Sequence, residues 1–312
     1  TTPRWLMAIT LRVARLTRGA WLTFIANQVS FSAMSILRCG RFRLSLDRPL
    51  VMGIVNLTPD SFSGDGTGSD VECAIRHARH QIDAGADMLD IGAESSRPGA
   101  IPAPEDEELR RLIPVLREIT AWGVPISVDT YKPVVMCAAL EAGASMINDI
   151  TALGHPDAMS IVAASDCGVC LMHMSGEPGT MQHAPQYGDV VREVREFLAE
   201  RVARCREAGI ADNRLVLDPG FGFGKTLEHN LALFRALTAT GTDELPLLVG
   251  VSRKSMLGAI TGRPVDRRVA ASVAAALLGV LKGAKILRVH DVAETKDALA
   301  VLAAIEQGVC NE

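Results

Sequence analysis

Polar side chains follow short apolar runs at eight places along this 312-residue sequence. In residues 215–218, three apolar residues precede the carboxylate of Asp218, and Pro219 and Gly220 follow it. This pattern is typical of a buried strand that ends at a turn, because proline cannot continue a sheet ladder. In chain order, the polar residues at the predicted strand ends are Asn56, Asp90 or Glu94, Asp129, Asn148, His173, Asp218, Lys254, and Arg288 with His290.

These strand ends supply two kinds of chemistry. Hydrogen-bond acceptors that suit a flat heterocycle with an NH or NH2 edge come from Asp129, Asn148 and Asp218, and the amide also donates. Donors and positive charge that suit a ring heteroatom and a phosphate come from Lys254, Arg288 and His290. If the strand ends meet, we expect one pocket that binds a polar ring on one side and an anion on the other.

Each of these residues also has a purely structural explanation. A carboxylate at a strand end often caps the following helix, and Lys254 is equally typical of a solvated loop charge. His173 lies between two methionines, which is as typical of a satisfied core histidine as of a ligand. The complete series of polar strand ends therefore favours a binding site more strongly than any single member does.

The elements that must position these residues alternate along the chain. Each apolar run is followed by a loop and an amphipathic segment, at the roughly 30 to 40 residues of a β-α unit, and the unit occurs eight times. This predicts an α/β protein with a single (β/α)8 TIM barrel, in which active residues lie at the carboxyl ends of the strands. A doubly wound sheet is the main alternative, but residues 56–59 do not form its glycine-rich phosphate turn.

The amino-terminal region differs in composition from the rest of the chain. Residues 1–46 contain seven Arg and no acid. We expect residues 1–38 to be a poorly ordered N-terminal extension and residues 39–312 to form the catalytic domain. Two explanations stay open for this region. It is either an organellar transit peptide or an extension translated from upstream of a true start near Met34.

Composition argues against several classes of protein. The formal net charge of -4 is unlike the basic surface of a nucleic-acid-binding domain. No apolar stretch reaches the ~18 residues of a membrane span. The seven scattered cysteines, including a lone pair at Cys167 and Cys170, fit reduced thiols better than a disulfide framework. We therefore expect a cytoplasmic protein that binds neither nucleic acid nor membrane.

Eight motifs in series resemble the dihydropteroate synthase family, in the family's order. They are MGIVNLTPDSFSGDG, DIGAESSRPGA, SVDTYK, INDI, LMHM with EPGTMQ, LDPGFGFGK, GVSRKS and RVHDV, and the resemblance as a whole covers about residues 39–307. The sequence departs from the family pattern in three places: Ala93 replaces a usual Gly, Ser96 replaces a usual Thr, and residues 63–66 permute the usual loop. None of these changes removes a group to which the resemblance gives a catalytic role.

The resemblance implies an activity and its accessories. The family condenses 6-hydroxymethyl-7,8-dihydropterin diphosphate with 4-aminobenzoate, and releases diphosphate to give 7,8-dihydropteroate in folate biosynthesis. Members are transferases with the barrel fold, use Mg²⁺, form homodimers and are targets of sulfonamides. Loss of diphosphate leaves a cation delocalised into the pterin ring, so we expect catalysis to depend on stabilising both separating charges.

The resemblance also implies a role for each site residue. The pterin ligands would be Asp129, Asn148, Asp218 and Lys254, with Met172 and either Phe223 or Phe221 packing on the ring. The Mg²⁺ ligand would be Asn56. The diphosphate ligands would be Ser96, Arg288 and His290. The aminobenzoate site would be shaped by Phe62, Arg97, Pro98 and Ser255. The residues with a direct part in catalysis would be Asp129, Lys254, Arg288 and His290.

Three other functions stay as alternatives. One is the pterin-binding domain of a methyltransferase, which would not need the SRPG and SRKS motifs present here. Another is a pterin-binding protein without catalysis, against which the set of charged strand ends argues. The third is a sugar-phosphate lyase in which Lys254 forms a Schiff base with the substrate.

Overall fold

A computed structural model describes residues 36–57, 70–94, 102–176, 179–182 and 184–307 of the chain. Eight parallel strands close into a barrel, and each of them pairs with its neighbours in chain order. The predicted (β/α)8 TIM barrel is thereby confirmed. The barrel strands are β3 (Leu50–Asn56), β4 (Met88–Gly92), β5 (Ile126–Asp129), β6 (Met146–Asp149), β7 (Gly168–Met172), β8 (Leu215–Asp218), β9 (Leu247–Val249) and β10 (Ala284–Val289).

Helices connect the barrel strands and surround them. Asp189 begins the longest of those described by accepting hydrogen bonds from the backbone of Val191 and Arg192, both at 3.1 Å. The helices are α1 (Asp70–Asp83), α2 (Glu105–Ile119), α3 (Pro133–Glu141), α4 (Pro156–Ala163), α5 (Val190–Glu207), α6 (Leu227–Arg235), α7 (Leu237–Thr240), α8 (Ser255–Thr261), α9 (Val269–Leu281) and α10 (Val292–Gln307). No helix within the described ranges is long and apolar enough to cross a membrane.

Three elements differ from the sequence-based expectation. The helix predicted over 227–238 is interrupted at Ala236 and becomes α6 and α7. The strand predicted over 245–251 is reduced to β9, and helix α8 was not predicted. Helix α8 has only seven residues, contains Gly258 and ends at Gly262 with a left-handed φ of 69°, so its apolar period is too short to be recognised.

A hairpin closes the amino-terminal end of the barrel. Strands β1 (Ile36–Cys39) and β2 (Phe42–Ser45) pair antiparallel, and the backbone N–H of Gly40 donates to the carbonyl of Asp166 just before β7. Leu37 and Cys39 are fully buried with apolar side chains from inside the barrel. Strand β1 begins at Ile36; the predicted division into an extension and a catalytic domain at residue 38 stays a prediction.

The larger hydrophobic core lies between the strands and the helices. On α2, Leu112, Leu116 and Ile119 are fully buried and belong to the same cluster as Leu89 and Ile91 of β4. Burying each such side chain contributes about 1.5–3 kcal/mol. Apolar packing thus fixes the outside of the barrel and much of its amino-terminal end, and a group of polar side chains converges at the carboxyl end of the strands.

Candidate active site

The strand ends meet as the sequence predicts. Asp129 of β5 and Asn148 of β6 are register partners, and so are Met172 of β7 and Asp218 of β8. Asp129, Met172 and Asp218 are the last residues of their strands, and Asn148 is the last but one of β6. Four of the side chains that the resemblance assigns to the pterin therefore lie on adjoining strands at one end of the barrel.

Arg288 of β10 joins two carboxylates of the mouth. Its Nε donates to Oδ2 of Asp90 at 2.6 Å, and its Nη2 donates to Oδ2 of Asp129 at 2.7 Å. The amide nitrogen of Asn148 also donates to Oδ2 of Asp90, at 3.2 Å. The remaining nitrogen of the guanidinium, Nη1, makes no hydrogen bond with the described part of the chain. With both acids ionised, this group of three carries a net charge of -1.

Burial and neighbouring charges shift the proton affinities in this group. Burial raises the pKa of Asp129 to about 7; the positive charge of Arg288 opposes this shift, and the negative charge of Asp90 adds to it. For Arg288, burial lowers the pKa, but the charges of Asp90 and Asp129 outweigh it and the net shift is upward. Arg288 therefore stays charged, and Asp129 titrates close to neutral pH.

Asp218 divides its two oxygens between a turn and the mouth. Oδ1 accepts from the backbone N–H of Gly220 at 2.7 Å, while Oδ2 makes no hydrogen bond with the residues the structure describes. Burial raises the pKa of this carboxyl. Gly220 has a φ of +70°, and a Cβ there would lie 1.8 Å from the carbonyl oxygen of His173. Oδ1 therefore stabilises the turn and does not cap the next helix, which Thr226 caps instead, and Oδ2 is left for a ligand.

Lys254 faces the turn that follows Asp218. Its Nζ donates to the carbonyl of Phe221 and lies 4.6 Å from the centroid of the Phe223 ring. Burial lowers the pKa of Lys254 to about 8, with the charge of Asp218 opposing the shift. Phe221 itself is fully buried, with its ring 5.5 Å from that of Phe234. Phe223 is therefore the aromatic ring at the mouth, and Phe221 belongs to the core.

His290 and Ser255 flank the same opening. The backbone N–H of His290 donates to Oγ of Ser252 at 3.2 Å, and its Nδ1 lies 3.1 Å from the same oxygen. Ser255 is the exposed first residue of α8. The remaining residues with predicted roles lie outside the described part of the chain; they are Phe62, Ser96, Arg97 and Pro98.

Asn56 has the chemistry of a magnesium ligand. It is the half-buried last residue of β3, and its side chain makes no hydrogen bond with the residues that the structure describes. No group of three or more His, Cys, Asp or Glu side chains in the described ranges could hold a metal ion. Mg²⁺ usually takes few protein oxygens and keeps substrate phosphates and water as its other ligands, so the amide oxygen of Asn56 fits it as one oxygen ligand among these.

His173 does not join the mouth. It is buried, its ring meets that of Phe197 edge-on at 4.9 Å, and its Nδ1 lies 2.9 Å from Nζ of Lys225. Burial, with the charge of Lys225, lowers the pKa of His173 to about 3. Lys225 also donates to the carbonyls of Gly220 at 2.9 Å and Phe223 at 3.0 Å. The structural explanation holds for His173, which supports the loop that carries Phe223.

Asp90 is the site residue that sequence reasoning left undecided. The sequence offers Asp90 and Glu94 as alternative polar residues for the second strand end. In the structure, Asp90 is fully buried and contacts both Arg288 and Asn148. Its Oδ1 has no hydrogen-bond partner among the described residues. The signal was a carboxylate inside the apolar run of residues 88–92, where burial without a partner is costly.

Comparison with known proteins identifies relatives over the whole barrel. The family model described as "Pterin binding enzyme" matches residues 52–290. A dihydropteroate synthase of Neisseria meningitidis serogroup B is 51% identical over 280 residues, which are 88% of this chain and 98% of that protein. Two solved structures match with TM-scores of 0.81 and 0.84, and each covers 88% of this chain.

The first of these structures is a Burkholderia cenocepacia dihydropteroate synthase complexed with 7,8-dihydropteroate. It is 52% identical, and 97% of it is covered. The second is the Xanthomonas albilineans dihydropteroate synthase with 4-aminobenzoic acid, which is 51% identical and 99% covered. The matched range of the family model includes every strand end described above, from Asn56 to His290.

Proposed function

The chain belongs to the dihydropteroate synthase family of pterin-binding enzymes, and from that membership we propose that it condenses 6-hydroxymethyl-7,8-dihydropterin diphosphate with 4-aminobenzoate. The products are 7,8-dihydropteroate and diphosphate. The observation that carries the proposal is the network of Asp90, Arg288 and Asp129 at the mouth, which has a net charge of -1 when both acids are ionised. The 7,8-dihydropteroate and 4-aminobenzoic acid bound by two relatives support it.

The acceptors at the mouth bind the pterin by its amino-pyrimidine edge. Oδ2 of Asp218 and the amide of Asn148 pair with the N–H groups of the ring, and Lys254 donates to a ring heteroatom. Phe223 packs on one face of the ring, and Met172, which is 3% exposed, packs below it. A ligand without these polar groups leaves Asp218 and Lys254 desolvated and unpaired, which gives the site its specificity.

The reaction separates charge, and the site stabilises both halves. The C–O bond between the pterin methylene and the diphosphate breaks, and its electron pair leaves with the diphosphate. The positive charge that remains spreads into the ring beside Asp129, whose network is negative by one unit. The amine of 4-aminobenzoate then donates its lone pair to the methylene carbon, forms the C–N bond and loses one proton. Electrostatic stabilisation of this kind is usually the largest single contribution to catalysis.

Arg288 and His290 bind the leaving diphosphate. Nη1 of Arg288 is the guanidinium nitrogen that the carboxylates leave available. Oγ of Ser252 accepts from the backbone of His290, so its own proton can go to Nδ1, and the ring then carries its proton on Nε2. Asn56 would hold Mg²⁺, which supplies further positive charge to the diphosphate. Ser96 is the remaining diphosphate ligand that we propose.

The aminobenzoate site lies next to Lys254. Ser255 is the exposed first residue of α8, so its hydroxyl is suited to donate to the carboxylate of 4-aminobenzoate. Phe62, Arg97 and Pro98 complete this site in our proposal. Since Ser96 has one methyl group less than Thr, we expect a slightly looser aminobenzoate site than in relatives with Thr.

We also propose a homodimer in the cytoplasm. Four large apolar side chains on α9 and α10 are more than half exposed, which suits a surface that a second copy of the chain covers. They are Leu278 at 51%, Leu281 at 56%, Val301 at 60% and Ile305 at 76%. The cysteines of the described ranges are free thiols, as in a reducing compartment. Sedimentation of the full chain tests the dimer.

An assay of diphosphate release tests the proposed function. The enzyme is mixed with the pterin diphosphate and Mg²⁺, with and without 4-aminobenzoate, and the released diphosphate is measured. The proposal requires release that depends on 4-aminobenzoate. Neither a methyltransferase domain nor a non-catalytic pterin-binding protein gives that dependence. Trapping of Lys254 by borohydride in the presence of a sugar phosphate would instead support the lyase.

A further inference from the structure

Two contacts join the loop after β9 to the loop after β10. The guanidinium of Arg253 donates to both oxygens of Asp291, from Nε at 3.1 Å and from Nη2. One residue earlier on each loop, Oγ of Ser252 contacts His290. Lys254 belongs to the pterin end of the proposed site and His290 to its diphosphate end. Each is therefore next in sequence to one member of the Arg253–Asp291 ion pair.

Arg253 has an unusual backbone conformation that needs support. Its φ is +58°, in the left-handed region that residues other than glycine seldom adopt. The start of α9 and the residue before it hold it there: the N–H of Arg253 donates to Oγ of Ser272 at 2.9 Å, and its carbonyl accepts from Nη1 of Arg268 at 3.0 Å. The direction in which the chain continues to Lys254 depends on this conformation.

Asp291 anchors the other side of the pair. The residue is 8% exposed, and its carbonyl accepts from the backbone N–H of Thr295 at 3.1 Å and from its hydroxyl at 2.7 Å. These bonds fix Asp291 to the first turn of α10. The two-pronged pairing of a planar guanidinium with a carboxylate then fixes the orientation of Arg253 as well as its distance.

We propose that Asp291 is a positioning residue, which holds Lys254 in place through Arg253 and keeps it at a constant spacing from His290. This inference rests on the proposed function, because it assigns Asp291 to the pterin end of that site. Asp291 touches neither substrate in this account. Its effect passes through the left-handed backbone of Arg253, so it should vanish when Lys254 can no longer contribute.

A double-mutant cycle tests the inference. Asp291→Asn keeps the shape of the side chain but removes its charge, and we expect kcat/KM to fall by about tenfold to a hundredfold, mostly through a higher KM for the pterin diphosphate. In the Lys254→Met background, we expect the same change to lower kcat/KM, and the affinity for the pterin diphosphate measured by calorimetry, by less than about twofold.

A second ion pair provides the control. At the opposite end of the barrel, Arg48 donates to both oxygens of Asp87, at 3.1 Å and 2.6 Å. Asp87→Asn therefore removes the same kind of contact, and we expect it to lower the melting temperature without changing KM or kcat. If Asp291→Asn does not fold, Arg253→Lys replaces it in the cycle, since lysine keeps the charge but not the fork.

The outcomes separate the inference from the proposed function. The inference is overturned if Asp291→Asn has the kinetics of Asp87→Asn, or if its effect on affinity is equally large with and without Lys254. It is supported if the effect appears only in the presence of Lys254. A wild-type protein that releases no diphosphate in the presence of 4-aminobenzoate overturns the proposed function instead.

Discussion

The ammonium nitrogen of Lys254 lies 4.6 Å from the centroid of the Phe223 ring, on the half-buried side of the turn after β8. Two residues earlier, Phe221 is fully buried against Phe234. The turn therefore assigns its two aromatic rings to different parts of the molecule. One of them faces a group of the proposed site, and the other stabilises the fold.

Substituting the two rings should separate binding from stability. We expect Phe221→Ala to lower the free energy of unfolding by about 3–5 kcal/mol, because it leaves a cavity in the core. We expect Phe223→Ala to change that free energy by less than about 1.5 kcal/mol while it raises the KM for the pterin diphosphate up to about tenfold. Denaturant unfolding and steady-state kinetics check this pair. Equal losses of stability would contradict the assignment.

Removing the charge of Asp129 should slow turnover. Asp129→Asn keeps the size of the side chain but no longer stabilises a pterin cation, so we expect kcat to fall by about a hundredfold or more. We expect Arg288→Met to lower kcat by a similar factor, because it removes a diphosphate ligand and leaves Asp90 and Asp129 without their counter-charge. Near-normal turnover in either variant would exclude the corresponding role.

The pH dependence of kcat/KM should be bell-shaped. Asp129, with a pKa of about 7, must be ionised to stabilise the cation, so the rate rises with pH through that value. Lys254, with a pKa of about 8, must be protonated to donate to the ring, so the rate falls as pH rises further. We expect Asp129→Asn to abolish the rising limb. An unchanged rising limb in that variant would contradict the assignment.

The turn at Gly220 should not tolerate a side chain. A Cβ at this position would lie 1.8 Å from the carbonyl oxygen of His173, so we expect Gly220→Ala to destabilise the fold by well over about 4 kcal/mol. Gly123 is the control, because its φ is +77° but nothing lies within 4 Å of a Cβ there. We expect Gly123→Ala to lower the free energy of unfolding by only about 1–2 kcal/mol, which is the penalty of the left-handed backbone. Thermal unfolding compares the two.

The barrel and most of the mouth could be predicted because both depend on local pattern. Apolar runs that end in polar residues mark the strands, and the closure of parallel strands brings the ends of Asp129, Asn148 and Asp218 together. The resemblance to dihydropteroate synthases, which the comparisons confirm, gave the same strand ends their expected ligands.

The pairing within the site could not be predicted from local pattern. Arg288 lies 198 residues after Asp90 and 159 after Asp129, and only barrel closure sets which carboxylate its guanidinium reaches. For the same reason, the sequence left His173 undecided between ligand and core, because its partner Lys225 is contributed by the next strand's loop. The functional roles of all the site residues stay predictions, and Phe62, Ser96, Arg97 and Pro98 also lie outside the described residues.

Product formation tests the central claim most directly. Wild-type enzyme and Asp129→Asn are incubated with the pterin diphosphate, 4-aminobenzoate and Mg²⁺, and 7,8-dihydropteroate is measured by mass spectrometry alongside released diphosphate. The account predicts one molecule of 7,8-dihydropteroate per diphosphate with wild type, and a rate about a hundredfold or more lower with the variant. Diphosphate released by wild type without 7,8-dihydropteroate, or equal rates for the two proteins, would contradict it.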